Sequence, residues 1–380
     1  MLRRALIALC LITSSRIAFG SLWESPDWAL LGTLNGATGY DSNLTLLHDG
    51  PGGFYVTANP YLTLSRQNSD TDILVNGGAT REEFLSGGQP SVTDLSFNAA
   101  IAYPNTINTI PVYKFYAGWL TSSQPNEFLG ERIQNTVISF TGEGYIKLTG
   151  KLGLRGNLEF DSVKYDAVAL NDSLHGSVVA GLTYSPYGGT ESSINVGTAL
   201  AQSTPNDPSL TANYVRSQEY DVTLRFRGQM TDKITGDIYG GFGVVDYTGG
   251  YSNHNDLPVA GADVAWGLDP RRTLVLAAYS GVTYAPDGTA VQTAHAFLSY
   301  TDVIIAGWQF TARCCPTRNV FNRQVFERTD EGWDFGMEFA YDPSKHFKVA
   351  LDVGYAVRND DVLVYKYTHA SVSLGSSYTY

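Results

Sequence analysis

The chain has 380 residues, of which 43% are hydrophobic and only 16% charged, with a formal net charge of −12. That acidic balance argues against nucleic acid as a partner. There is no run of about 18 apolar residues, so no transmembrane helix is predicted. A mean hydropathy of −0.12 fits a membrane protein only if apolar and polar residues alternate, as they do in a barrel.

The first elements form a leader. Arg3 and Arg4 are followed by an apolar run from Ala5 to Ile12 and by a small-x-small ending at Ala18, Phe19 and Gly20. This layout predicts a secretory signal peptide over 1–20, with cleavage after Gly20. Its apolar run is too short to span a bilayer. Leu9, before Cys10, is too large for a usual lipoprotein cleavage site, so no lipid anchor is expected. Residues 21–380 are then one domain.

From there the hydrophobic period is two. Leu152, Leu154, Leu158 and Phe160 alternate with Arg155, Asn157, Glu159 and Asp161. Tyr220, Val222, Leu224 and Phe226 alternate with Asp221, Thr223, Arg225 and Arg227. Trp333 to Tyr341 and Phe347 to Val357 repeat the pattern. Strands are predicted at 28–40, 53–66, 69–82, 91–103, 111–122, 132–148, 151–165, 173–184, 190–203, 213–229, 233–247, 257–268, 272–284, 289–301, 303–313, 331–341, 346–358 and 362–380. Pro60 implies a bulge or a misplaced boundary in the second. Most of these strands exceed the about 9–11 residues that cross a bilayer. Abundant Gly and Tyr, 39 and 24 residues, suits strands rather than helices.

Every second connection reads as tight: Thr149-Gly150, Thr231-Asp232, Asp269-Pro270-Arg271, Thr301-Asp302 and Asp342-Pro343-Ser344-Lys345. The alternate ones are often longer, at 41–52, 204–212, 248–256 and 314–330. Aromatic residues near strand ends (Trp119, Tyr184, Trp266, Tyr300, Trp308, Tyr341, Tyr355) read as girdles at the two interfaces. The final strand places Val372, Leu374, Tyr378 and Tyr380 on one face. It resembles the terminal signal that the outer-membrane insertion machinery reads. The prediction is all-β: an antiparallel up-and-down transmembrane barrel of about 18 strands in the bacterial outer membrane, with both termini periplasmic. Outer-membrane lipid is the expected surrounding partner. A monomer is expected, since only 314–330 is long enough to fold into a lumen.

The first predicted strand ends in Gly39-Tyr40-Asp41-Ser42-Asn43-Leu44. An opening strand ending in Tyr40, Asp41, Ser42 and Asn43 resembles the β-barrel porins often encoded in bacterial exopolysaccharide gene clusters. The resemblance covers essentially the whole mature chain. It implies an outer-membrane pore, with polysaccharide secretion as one use, and it supplies no catalytic residues.

If the apolar faces meet lipid, the opposite faces line the lumen, because a charge facing lipid at midplane costs about 2–4 kcal/mol. Lumen candidates are Arg155, Glu159, Asp161, Arg225, Arg227, Asp334, Glu338, Asp352 and Arg358. The full set of inward charges is nearly balanced in sign, which argues against strong ion selectivity. Arg is suited to carboxylated solutes, but the same charges also suit salt-bridge networks that stiffen the wall. Most aromatic residues are placed outward, which weakens a sugar slide. Cys314 and Cys315 read as a loop pair, free or joined to each other. His175 and His369 read as polar pairing groups of the lumen. Asn253-His254-Asn255-Asp256 and Asn359-Asp360-Asp361 read as solvated loop tips. No HExxH, GxSxG, P-loop or CxxC occurs, so no enzyme, metal or cofactor is expected. The competing readings are a plugged barrel acting as adhesin or scaffold and, more remotely, a barrel enzyme.

Overall fold

A computed structural model describes residues 22–379 apart from 68–70, 104–111, 127–130, 169, 187–188, 207–214, 250–253, 285–289, 306, 323–326, 345 and 363–364. The predicted signal peptide, Asn253 and Tyr380 lie outside the described residues.

The strands are β1 (Trp28–Asp41), β2 (Gly53–Gln67), β3 (Asp72–Phe84), β4 (Val92–Tyr103), β5 (Val112–Asn126), β6 (Glu131–Lys147), β7 (Leu152–Tyr165), β8 (Asn171–Tyr184) and β9 (Thr190–Pro205). They continue as β10 (Val215–Thr231), β11 (Ile234–Gly249), β12 (His254–Asp269), β13 (Arg272–Tyr284), β14 (Ala290–Ile305), β15 (Trp308–Asn322), β16 (Glu327–Ser344), β17 (Phe347–Asp360) and β18 (Tyr367–Thr379). Each pairs antiparallel with the next, and β18 returns to β1 through Ser371↔Asp41 to Thr379↔Thr33. The sheet is a closed ring of eighteen strands, so no barrel edge is left unpaired. A further two-residue strand, Trp23–Glu24, pairs onto β1 before the ring begins.

Closure works because each strand keeps its alternation. Directly opposed residues share a face, so the pairing register assigns every strand a phase. One face carries Leu154, Leu158, Val178, Leu182, Val222, Leu224, Phe335 and Met337, all exposed. Phe242 on the same face is 82% exposed. The opposite face carries Glu143, Arg155, Asn195, Arg225, Asp334 and Glu338 along the register. Apolar groups turned outward and charges turned inward reverse the arrangement of a soluble fold. The predicted girdle holds on the outer face: Trp308 stacks on Tyr341 with ring centroids 4.6 Å apart, and Trp266 and Tyr184 lie exposed near strand ends.

Three tight turns use one device. The Thr149 and Thr231 hydroxyls and the Asp269 carboxylate each accept backbone N–H groups two and three residues on, at 2.9–3.3 Å. This is the local side-chain bonding that favours such residues in turns.

Several expectations are corrected. Thr301-Asp302 is not a turn. Both residues pair across to β15, and Thr301 Oγ1 lies 3.3 Å from Thr311 Oγ1. The chain reverses next to Gly307 instead, whose φ of +83° is in the region glycine adopts without strain. The predicted loop 314–330 is mostly strand: β15 runs on to Asn322 and β16 begins at Glu327. Strand extension likewise absorbs most of 248–256, including His254, Asn255 and Asp256. Pro60 makes no bulge. The β2–β3 ladder omits Asn59 and Pro60 and resumes in the same register, Ala58↔Arg81 then Tyr61↔Gly78.

Candidate functional site: the lumen face

The first cluster sits toward the tight-turn end, on β5–β11. Arg155 donates to Glu143 at 2.9 Å and to Glu191 at 3.2 Å, with its guanidinium 5.8 Å from the Tyr145 ring centre. Arg225 Nε donates to Asp237 Oδ1 at 2.6 Å, its second nitrogen bonds the other oxygen, and the guanidinium lies 5.6 Å from the Tyr239 ring centre. The planar fork meets the carboxylate with both nitrogens, the geometry that lysine cannot reproduce. Arg227 approaches Glu143 to 3.9 Å, and Lys114 reaches the same carboxylate at 4.0 Å. Strands β6 and β10 are four apart, about 19 Å of wall at the usual spacing. Their side chains meet only because they project into the lumen. A cavity of about 610 Å³ opens here, with Lys114, Tyr116, Glu143, Arg155, Arg225 and Arg227 in its wall.

The other predicted residues divide. Asp161 lies 3.8 Å from His175. Glu159 shares that face opposite Thr141 and Ser177 but does not join the arginine cluster. Glu338 and Asp352 are direct cross-strand partners, and Lys348 donates to Glu338 at 2.9 Å. Asp334 shares a face with Cys315. Strands β7 and β16 are nine places apart in the ring of eighteen, so the arginine cluster and these acids sit on opposite walls.

Arg358 belongs to neither group. It pairs with Asp330 at 3.3 Å near the loop end of the barrel. Asn319 donates to the same carboxylate at 3.3 Å. Arg328 Nε donates to Asp360 Oδ2 at 2.7 Å, and its guanidinium lies between Phe321 and Tyr365, 4.4 and 4.0 Å from their ring centres. Asp330 and Asp360 are 1% and 2% exposed, so Asp360 is not the solvated tip expected of it. Arg328 and Asp330 are not among the predicted lumen residues, because 314–330 reads as a loop in the sequence.

The opening motif is a fastener. Asp41 accepts from the Asn43 backbone N–H at 2.7 Å and lies 2.9 Å from His369 of β18. The Ser42 backbone N–H donates to the Ala370 carbonyl, and the Ala370 N–H donates to the Ser42 hydroxyl. The Asn43 amide donates to the Leu47 carbonyl at 2.8 Å. These bonds tie the 42–52 loop to the first–last strand seam and bury Leu44. Tyr40 faces the other way and packs its ring 5.0 Å from that of Phe54.

The cysteines are corrected too. They lie in β15, where neighbouring side chains point to opposite faces. Cys314 pairs with Leu298 and Phe335 on the outer face, Cys315 with Asp334 on the inner. Both are free thiols. Tyrosines were also undercounted inside: Tyr55, Tyr61, Tyr145, Tyr239 and Tyr279 all take the inner phase. Among the described residues no group of three or more His, Cys, Asp or Glu is gathered to hold a metal.

No family model matches the chain, and no curated protein matches it. Solved outer-membrane structures resemble its path. OccAB2 of Acinetobacter baumannii has a TM-score of 0.49 and 11% identity, covering 95% of this chain and 99% of that one. OpdQ of Pseudomonas aeruginosa has a TM-score of 0.48 and 13% identity, covering 94% and 99%. OpdK of Pseudomonas aeruginosa, solved with vanillate, has a TM-score of 0.48 and 11% identity, covering 92% and 98%.

Proposed function

We propose that the chain is an outer-membrane channel through which small polar solutes diffuse. The observation that carries this is the inside-out partition of the closed barrel. Bare leucine, phenylalanine and valine cover its outer surface, and charge and amide groups cover its inner one. Such an outer surface is stable only against hydrocarbon, and such an inner surface only against water. The arginine cluster of Arg155, Arg225 and Arg227 offers anionic groups of a solute a place to exchange with Glu143, Glu191 and Asp237. Conductance in planar bilayers tests the channel: discrete, stable steps are expected from the folded protein. A folded protein that gives none would end this reading.

Polysaccharide is the narrower cargo that the opening motif implies. One observation favours it as a second reading, the inner-face tyrosines Tyr145, Tyr239 and Tyr279, since aromatic faces suit the apolar faces of sugars. Block of the current by long neutral or uronate-containing oligosaccharides would favour it. Unhindered current at saturating oligosaccharide would leave the small-solute reading alone.

A further inference from the structure

The outer belt is interrupted in one place. Toward the loop end of β12–β14, its side chains shrink to two adjacent rows. Ala260 pairs across with Ser280, which pairs with Ala294; Ala262 pairs with Ala278, which pairs with Ala296. On β11, Gly240 faces Ala260 and extends one row, while Ile238 faces Ala262 and closes the other; at the far side Trp333 of β16 stands opposite Pro316 on β15. Toward the tight-turn end the belt resumes with Leu276 and Leu298, both exposed. The result is a groove of about 680 Å³ on the outer surface, floored by backbone and methyl groups and walled by Ile238 and Trp333.

The groove has a charged head. Ala294 opposes Arg318, and Arg318 opposes Glu331. These two side chains are 63% and 57% exposed and approach only to 3.6 Å, beyond hydrogen-bond reach. This ion pair is exposed on a lipid-facing wall, so a third group can reach the arginine.

We propose that this groove is a binding site for a phosphorylated outer-leaflet lipid of the lipid A class, one acyl chain lying on the alanine rows and a phosphate on Arg318. Three observations fix the occupant. The floor is apolar and concave, and small residues let a chain approach the backbone closely; the convex wall of a second barrel would bridge the groove without filling it. The arginine stands at one end, as an amphiphile with one anionic head requires, and guanidinium suits phosphate. The groove lies at the loop end, which faces the outer leaflet in the orientation assigned from loop length. The inference rests on the lipid-facing reading of the belt and not on conduction. A barrel without conductance would still bind the lipid, and a conducting barrel that ignored it would lose only this site.

Native mass spectrometry of the detergent-purified full barrel, titrated with phosphorylated lipid A or with phosphatidylethanolamine, tests it. One lipid A per barrel is expected, in preference to the phospholipid. Arg318→Gln should weaken it about tenfold or more. Glu331→Gln should strengthen it, since it removes a repulsion that a merely structural pair would not report. Ala278→Leu with Ala296→Leu should fill the groove and abolish binding, with heat-modifiable migration confirming the fold. Equal affinity in wild type, Arg318→Gln and Glu331→Gln overturns the proposal, as does equal retention of phosphatidylethanolamine. Disulfide-linked dimers through Ala278→Cys, with no lipid retained by the wild type, would give the face to a second copy instead.

Discussion

A single residue tests the facing of the wall. Cys314 and Cys315 are adjacent, chemically identical and on opposite sides. A charged, membrane-impermeant thiol reagent should therefore add to Cys315 and lower conductance. The block should vanish in Cys315→Ser and persist in Cys314→Ser. The opposite pattern would invert the facing of β15. The loop-end ion pairs make a second test at this scale. Asp330 and Asp360 are shielded from water, so removing a partner strands a buried carboxylate, a loss of about 3–5 kcal/mol. Arg358→Ala should lower the unfolding free energy read from a urea titration by that order. Asp330→Asn should restore part of it, as the charge left behind is removed. Neither site was legible in the sequence, because the side chains that bury these carboxylates come from strands that pattern alone had cut short.

At the scale of elements, alternation was readable and register was not. Most strands lie where the period of two places them, since each holds the alternation over a full crossing; the exceptions are the bounds around 301–330. Turns were readable when a Thr or Asp could bond the backbone beyond it, as at Thr149, Thr231 and Asp269. Thr301-Asp302 has the same chemistry but sits within a ladder, and Gly307 supplies the reversal. The polar segment 314–330 reads as a loop, yet Pro316 lies in strand where the β14–β15 ladder is interrupted, with no pairing between Leu298↔Cys314 and His295↔Thr317. The inner tyrosines are illegible for a related reason: four of the five cover a glycine on a neighbouring strand, a match that exists only once strands are paired. The Tyr55 ring lies over Gly39, Tyr61 over Gly78, Tyr145 over Gly153 and Tyr239 over Gly261, where a Cβ would strike the ring. This device pins register and replaces the packing a glycine lacks. Gly261→Val should destabilise the barrel by about 1–3 kcal/mol through overpacking. Adding Tyr239→Ala should recover much of that loss in a double-mutant cycle read by urea unfolding. Strict additivity would remove the pairing from the account.

At the scale of the whole molecule, the distribution of charge matters more than its sum. The inner charge does not balance as expected: the register adds Asp41, Glu82, Asp94, Glu191, Glu219, Asp330 and Asp360 to the inner acids and only Arg328 to the inner bases, so the wild-type channel should favour cations in a salt gradient. Two charged groups are separated around the ring, however, with Arg155 and Arg225 on β7 and β10 and Glu338 and Asp352 on β16 and β17. The arginine cluster with Lys114 carries one base more than the acids it engages, and the Glu338–Asp352 group one acid more than Lys348, so a small field crosses the lumen. The consequence is asymmetric under mutation. Arg225→Ala with Arg227→Ala should release Asp237 and Glu143 from their partners and move the reversal potential toward cations. Glu338→Ala with Asp352→Ala should leave Lys348 without its acceptor and move it toward anions. Raising salt should shrink both shifts, since screening at 1 M reaches about 3 Å. If both double variants moved the potential the same way, or neither moved it, these two groups would not line the conducting path. Opposite displacements that fade with salt would place the arginine cluster and the acidic wall on the two sides of one aqueous lumen.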